Sequence, residues 1–254
     1  MNSMSRTVCC ALALSMGLAG AFASAQSTQE RKDKINQIEV QATAQAIARK
    51  RRSDELLRKE GVPVNKFLPA IEDETQVKQR SKEAIAYRAL ALLTVSLKGA
   101  GLDHSSTQRI VADYGLGRHF SPDEREFIRN PKPPEDDLVR FSWRYEAAWV
   151  LLWSLGYVNE LGKPTATCDV DAAIGVMRKR SAAQFVADAK LRSLPEIVEQ
   201  ADRIYRYHWA VVDARVNNSE VGGLDGDVTV ERHYALNWLI GYMDAEWDDV
   251  STDT

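Results

Sequence analysis

Disulfide chemistry is the first thing this sequence lacks. Its 254 residues hold three cysteines; Cys9 and Cys10 sit in a leader that is expected to be removed, so Cys168 has no partner for an intramolecular bridge. Histidine is almost as scarce. The four at positions 104, 119, 208 and 233 have no metal-ligand spacing, and the His-Glu-x-x-His pattern is absent. Neither a Gly-x-Ser-x-Gly nucleophile turn, a phosphate loop nor a dinucleotide fingerprint occurs, so no cofactor is implied. Charge of one sign is not in excess either. With 33 Lys+Arg against 36 Asp+Glu and a net charge of −3, a protein that works by neutralising nucleic-acid phosphates is excluded. No segment alternates convincingly as a strand does, and no low-complexity tract breaks the chain.

The one long apolar run covers 8–23, between Arg6 and Ala23-Ser24-Ala25, a small-x-small pattern followed by polar residues. Residues 1–25 read as a secretory signal peptide. At about 16 residues the run falls short of a bilayer span, so the protein is expected to be exported, periplasmic or secreted, with no stable membrane insertion after cleavage. Residues 26–50, with only Ile35, Ile38, Val40 and Ile47 as larger aliphatics, read as a polar helical lead-in or linker. The basic run Arg49-Lys50-Arg51-Arg52 is answered at once by Asp54 and Glu55 and reads as a solvated helix face. Residues 51–254 are left as the folded domain.

Helical signals fill that domain. Segment 82–97 is nearly all apolar, Arg88 being its only charge after Glu83, and Gly99 and Gly101 end it. Ser121-Pro122-Asp123-Glu124 and Ser193-Leu194-Pro195-Glu196 are capping boxes. Pro131, Pro133 and Pro134 enforce a loop, and the connector 61–69 is extended by Pro63 and Pro69 and pinned by Val64 and Phe67. Because 147–158 holds only Ser154 and Gly156 besides aliphatic and aromatic residues, a helix over about 141–158 is expected at the centre, buried all round. After Ser193, Ile197, Ala201, Ile204, His208 and Val211 recur at helical spacing over about six turns. A loop over 217–226 follows, then a helix over 228–242 with Asp227 as its N-cap. The fold class is all-α, a single compact multi-helix domain around the central helix.

Several blocks stand in a recognisable order. Arg144-Tyr145-Glu146 precedes Trp149 and Trp153; Leu191-Arg192-Ser193 leads to Glu196, Asp202, Tyr205-Arg206 and Trp209; Glu231-Arg232-His233 leads to Asn237-Trp238; and the sequence closes on Trp247-Asp248-Asp249. With Glu60-Gly61-Val62-Pro63 and Leu68-Pro69, this arrangement resembles the bacterial DUF4272 family of unknown function, from near Arg52 onward. The resemblance implies a helical domain with no established activity, substrate or cofactor.

Three constellations could carry chemistry. Glu199, Asp202, Arg206, Trp209 and Asp213 form a stripe opposite the apolar one, in which Asp202 can pair with Arg206 and the Trp implies that something covers the face. Glu146 shares a face with Ser142, Trp149 and Trp153, which makes it either a tuned general acid or one half of a buried pair with Arg192, Arg206 or Arg232. Glu231-Arg232-His233 opens the last helix with Asn237 one turn on, while His208 reads as a core histidine and Cys168, beside Asp169, as an inert thiol. Trp247 is expected to dock on the domain, with Asp248 or Asp249 pairing with Arg192, Arg206 or Arg232. Two functions follow. The first is a binding or interaction domain for a protein or small molecule, using a Trp- and Arg-rich face of Arg192, Asp202, Arg206, Trp209, Arg232, Asn237, Trp238, Trp247, Asp248 and Asp249; an inhibitor or immunity-type protein differs only in its partner. The alternative is a hydrolase with Glu146 or Glu231 as acid or base, His233 beside it and an Arg holding an anionic group. A pocket where Glu146, His233 and an Arg converge would favour the enzyme, an exposed aromatic patch the binder.

Overall fold

A computed structural model describes residues 42–254, so the signal peptide, its cleavage site and lead-in positions 26–41 lie outside the described residues. Among those described, every regular element is helical. α1 spans Ala44–Lys59, α2 Lys82–Gly99, α3 His104–Asp113, α4 Pro122–Arg129, α5 Glu135–Ser142, α6 Arg144–Ser154, α7 Val170–Arg178, α8 Ala182–Asp188, α9 Leu194–Asn217 and α10 Gly226–Leu239. Short 3-10 turns lie at Leu116–Arg118, Tyr242–Asp244 and Trp247–Asp249. None of these helices is long and apolar enough to cross a membrane.

The starts follow the sequence signals closely. Ser121 and Glu124 exchange hydrogen bonds at the head of α4, and Glu196 accepts the N–H and O–H of Ser193 at the head of α9, satisfying donors that a helix start leaves open. The ends depart further. The expected 141–158 helix is two: Trp143 makes a turn between α5 and α6, and Leu155 and Gly156 close α6 at Ser154. Gly156 has φ +77° and lies so close to the Lys190 carbonyl that a Cβ there would stand 2.9 Å from it, a position only glycine fills without strain. The last helix stops at Leu239 rather than 242, and its N-cap is Asp225, which accepts from the N–H groups of Asp227 and Val228. Asp227 therefore sits inside the helix, where its charge still favours the positive end.

Burial centres on α2 and α6. α2 is enclosed along Ile85, Ala89, Leu90, Leu92, Leu93 and Val95, and α6 along Ala147, Ala148, Val150, Leu151 and Leu152. At the C-terminal end of α2, a Cβ on Gly99 would stand 2.5 Å from the backbone N of Ser142, so glycine is what lets α5 approach. Trp153 is buried, but Trp149 is only half-buried. α10 packs between α6 and α9, and α1 lies along α9. Arg49 corrects the reading of a solvated basic face: it is buried, with Nη2 donating to the carbonyls of Ile71 at 2.9 Å and Glu72 at 2.7 Å. Phe67, expected to pin the connector, is instead 77% exposed.

Candidate functional site

Asp202 and Arg206 on α9 face inward onto α1 and the connector. Arg206 forks onto Asp202 through Nε at 3.0 Å and Nη2 at 2.8 Å, gives Nη2 also to the Pro69 carbonyl at 3.1 Å, and brings Nη1 within 3.5 Å of Asp54. Both members of the Asp202–Arg206 pair are buried. On the other side of α10, Arg232 donates through Nε to Glu146 at 3.1 Å and through Nη1 to the Leu161 carbonyl at 2.8 Å. The second oxygen of Glu146 accepts the backbone N–H of Cys168, so this pair ties the 155–168 segment to the core. Burial and the nearby Glu146 carboxylate push the Cys168 thiol far up, which keeps it protonated and unreactive. Glu231 pairs with Arg144 at 3.0 Å to both of its oxygens; burial raises its pKa, and Arg144 opposes the rise.

The arrangement one residue further along α10 is different in kind. His233 on α10 and His208 on α9 bring their Nδ1 atoms to 2.8 Å, with rings edge-to-face at 5.1 Å between centroids. Desolvation drives His233 down to about 3, helped by its neighbour; His208 is also lowered, chiefly by burial and then by Arg215. Both rings are therefore neutral at pH 7, and one Nδ1 must donate to the other. The backbone of Thr252 hydrogen-bonds the His208 ring and favours its protonated form, which is the action of a carbonyl acceptor on a ring N–H. Assigning that proton to Nε2 makes His208 accept at Nδ1 and His233 donate at Nδ1, and leaves a lone pair on Nε2 of His233. No group among the described residues hydrogen-bonds that Nε2, nor is it one of the sealed polar atoms left without a partner.

His233, 1% exposed overall, lines a cavity of about 100 Å³ that opens to solvent. Pro69, Ala70, Ile71 and Glu72 form one wall, Tyr205, Asn237, Ile240 and Tyr242 line the remainder of the bowl, and Asp253 and Thr254 stand at its edge. Each wall is tied down from outside the cavity. Arg49 and Arg206 hold the connector carbonyls, and Asn237 donates to the Ser251 carbonyl at 2.8 Å. Trp247 anchors the tail: it is buried against Tyr234 and Trp238, with the Arg88 guanidinium 5.1 Å from its ring centre, and its carbonyl accepts from the Tyr234 hydroxyl.

The family model described as "Domain of unknown function (DUF4272)" matches residues 49–250. The chain belongs to the DUF4272 family. No curated protein and no solved structure matches it.

Within this DUF4272 domain the expected site residues separate. Glu146 and Arg232 are joined, Glu231 is bound to Arg144, and His233, paired with His208, lines a cavity that none of those four charged residues lines. Asp202, Arg206, Arg232, Asn237, Trp238 and Trp247 are buried, Trp209 is half-buried, and Arg192 spends its guanidinium on the carbonyls of Trp153, Val158 and Asn159. The expected exposed Trp- and Arg-rich face is therefore an internal network. Trp247 docks as expected, but Asp248 pairs with no Arg among the described residues: its carboxylate accepts the N–H of Asp123 at 3.0 Å in the first turn of α4, where the helix dipole favours an anion. Asp249 is exposed. Sequence reasoning missed Glu72, Tyr205 and Tyr242 as cavity residues. Only Tyr205 carried a signal, its place one turn before the His208–Trp209 block; Glu72 sits in a connector whose route no periodicity encodes.

Proposed function

We propose that this DUF4272 domain is a binding module acting outside the cytoplasm, and that it holds a small molecule in the cavity at His233. The observation that carries this reading is that His233, otherwise wholly enclosed, lines the cavity with an Nε2 that no group among the described residues hydrogen-bonds. Buried polar atoms are normally partnered, so an acceptor left open toward a cavity suits a ligand donor. Mostly apolar walls with a few placed polar groups are the usual make-up of a ligand site. The hydrolase reading is weakened by the same imidazole, because a base whose pKa lies near 3 is far too weak to take up protons at neutral pH. Burial of the Trp and Arg residues moves the recognition element from an exposed face to this cavity.

Native mass spectrometry of the protein taken from its source tests the reading. Wild type should retain a low-mass species that denaturation releases, and Ile71→Trp, which fills the cavity, should lack it while melting cooperatively. If nothing is released, and the Nε2 nitrogen resonance of His233 stays unmoved across a panel of small amines, alcohols and carboxylates, the proposal fails.

A further inference from the structure

Glu72 is the one carboxylate on the connector wall, and its chemical position is unusual. Its side chain enters no ion pair among the described residues, while the nearest cation, Arg49, is already committed to the Ile71 and Glu72 carbonyls and to Glu74 at 3.4 Å. Desolvation dominates its titration and raises its pKa, against weaker lowering by its own backbone N–H and by Arg49. A half-buried carboxylate without a counter-ion carries part of its desolvation cost until a positive charge reaches it. Among the described residues no Lys or Arg lines the cavity; Glu72 and, at the edge, the exposed Asp253 supply charged side chains there. The rings of Tyr205 and Tyr242 also line it, and aromatic rings attract cations through their negative faces. The other polar side chains of the lining are Asn237, whose amide donates to the Ser251 carbonyl, Thr254 at the edge, the two tyrosines and His233, whose Nε2 is the acceptor assigned above. An anion finds no donor of charge here, whereas an ammonium group finds a carboxylate, an imidazole lone pair and aromatic carbon.

Resting on the cavity reading above, we infer that the ligand is a small organic cation, a protonated amine whose N–H groups are shared between Glu72 and Nε2 of His233. Size narrows the class: a cavity of about 100 Å³ is smaller than the roughly 150 Å³ that encloses benzene. The ammonium end and two or three carbons fit inside, and any longer body extends through the opening.

The test uses the full chain and four probes of similar bulk: propylamine, tetramethylammonium, propanol and propionate. Binding is read by calorimetry and by the nitrogen-15 shift of His233 Nε2. Propylamine is expected to bind saturably and move Nε2, propanol at least tenfold more weakly, and propionate not at all. Tetramethylammonium, which has charge but no N–H, should bind without the full Nε2 shift. Glu72→Gln should weaken propylamine at least tenfold and leave propanol unchanged, with melting temperature as the check on folding. If propanol or propionate binds as well as propylamine, or if Glu72→Gln has no effect on propylamine, the cation assignment is overturned while the cavity reading stands. If no probe binds and Nε2 never moves, both are overturned.

Discussion

Glu146 is a fully buried carboxylate and Glu72 a half-buried one, and their surroundings could hardly differ more. Glu146 has an Arg guanidinium on one oxygen and a backbone N–H on the other, and Arg232 spends its remaining donors on loop carbonyls. Glu72 has its own backbone N–H and a distant guanidinium. The histidines repeat the contrast within one pair. His208 is engaged at both ring nitrogens, by His233 and by Thr252, whereas His233 is engaged at one. A buried polar residue is thus no mark of a site in itself. What separates the cavity pole from the Glu146–Arg232 knot is incomplete compensation, since a group that folding leaves unpaired keeps interaction energy in reserve for something that arrives later.

Breaking the compensated side should have the largest effect. Arg232→Leu strands Glu146 and frees the Leu161 carbonyl, and removal of one partner of a buried pair costs about 3–5 kcal/mol; denaturant unfolding reads the loss. A similar cost for the charge-removing double variant Glu146→Gln/Arg232→Leu would show that the stranded charge is not its source.

Trp247→Ala comes next. Deleting a buried indole costs about 3–5 kcal/mol in a closed core and less where the site can relax; here the Arg88, Tyr234 and Trp238 contacts all go together. The tail should also lift from the cavity edge, read as loss of the nuclear Overhauser contacts between the Asn237 side-chain amide and residue 251 while the amides of α2 and α6 keep their hydrogen-exchange protection. An unchanged tail would mean that Asn237 and His208 alone hold it.

The histidine pair sets the acid limb. An unfolded His takes up a proton near pH 6.5, whereas His233 in the folded protein waits until about 3, so protonation favours the unfolded chain throughout that window. Stability should be intact above pH 6.5 and fall by about 2 kcal/mol between pH 6.5 and 5 from His233 alone, with His208 adding in the same direction. Other groups near the pair are Arg215, Tyr205 and Glu72, and the raised pKa of Glu72 moves its titration toward this window. Carbon-13 imidazole titration should find His233 neutral down to pH 5, and a midpoint near 6.5 would remove the tautomer argument.

The smallest effect belongs to Glu72→Gln in ligand-free protein. Because folding raises the pKa of Glu72, ionisation penalises the folded state and stability falls as pH rises past its unfolded value. The amide should therefore raise the melting temperature slightly at pH 7 and remove that slope. A drop in melting temperature would place Glu72 among the compensated groups, with Glu146.

How much of this was legible in the sequence varied with distance along the chain. Capping boxes at Ser121 and Ser193, the glycine stops after α2 and the period of α9 are local, and each appeared where its residues predicted. The split of 141–158 at Trp143 was hidden because the residues around it are good helix formers; the close seating of α5 on Gly99 belongs to packing. Arg49 misled for a related reason. Its basic neighbours read as solvated, but the connector folds back and offers it two carbonyls from 22 and 23 residues away. That Glu146 needs an Arg was legible, and that Arg232 is the one was not.

By itself, then, the sequence determined an all-helical domain, its family and most of its helix starts, because those rest on hydrogen bonds and periodicity within a few turns. Tertiary structure alone decided which buried polar groups would be satisfied. The connector, α10 and residues 251–254 meet from opposite parts of the chain, and only their meeting places Glu72, Tyr205 and His233 around one space. Compensation of charge depends on what lies within a few ångströms in three dimensions, and no local pattern records which residues those will be.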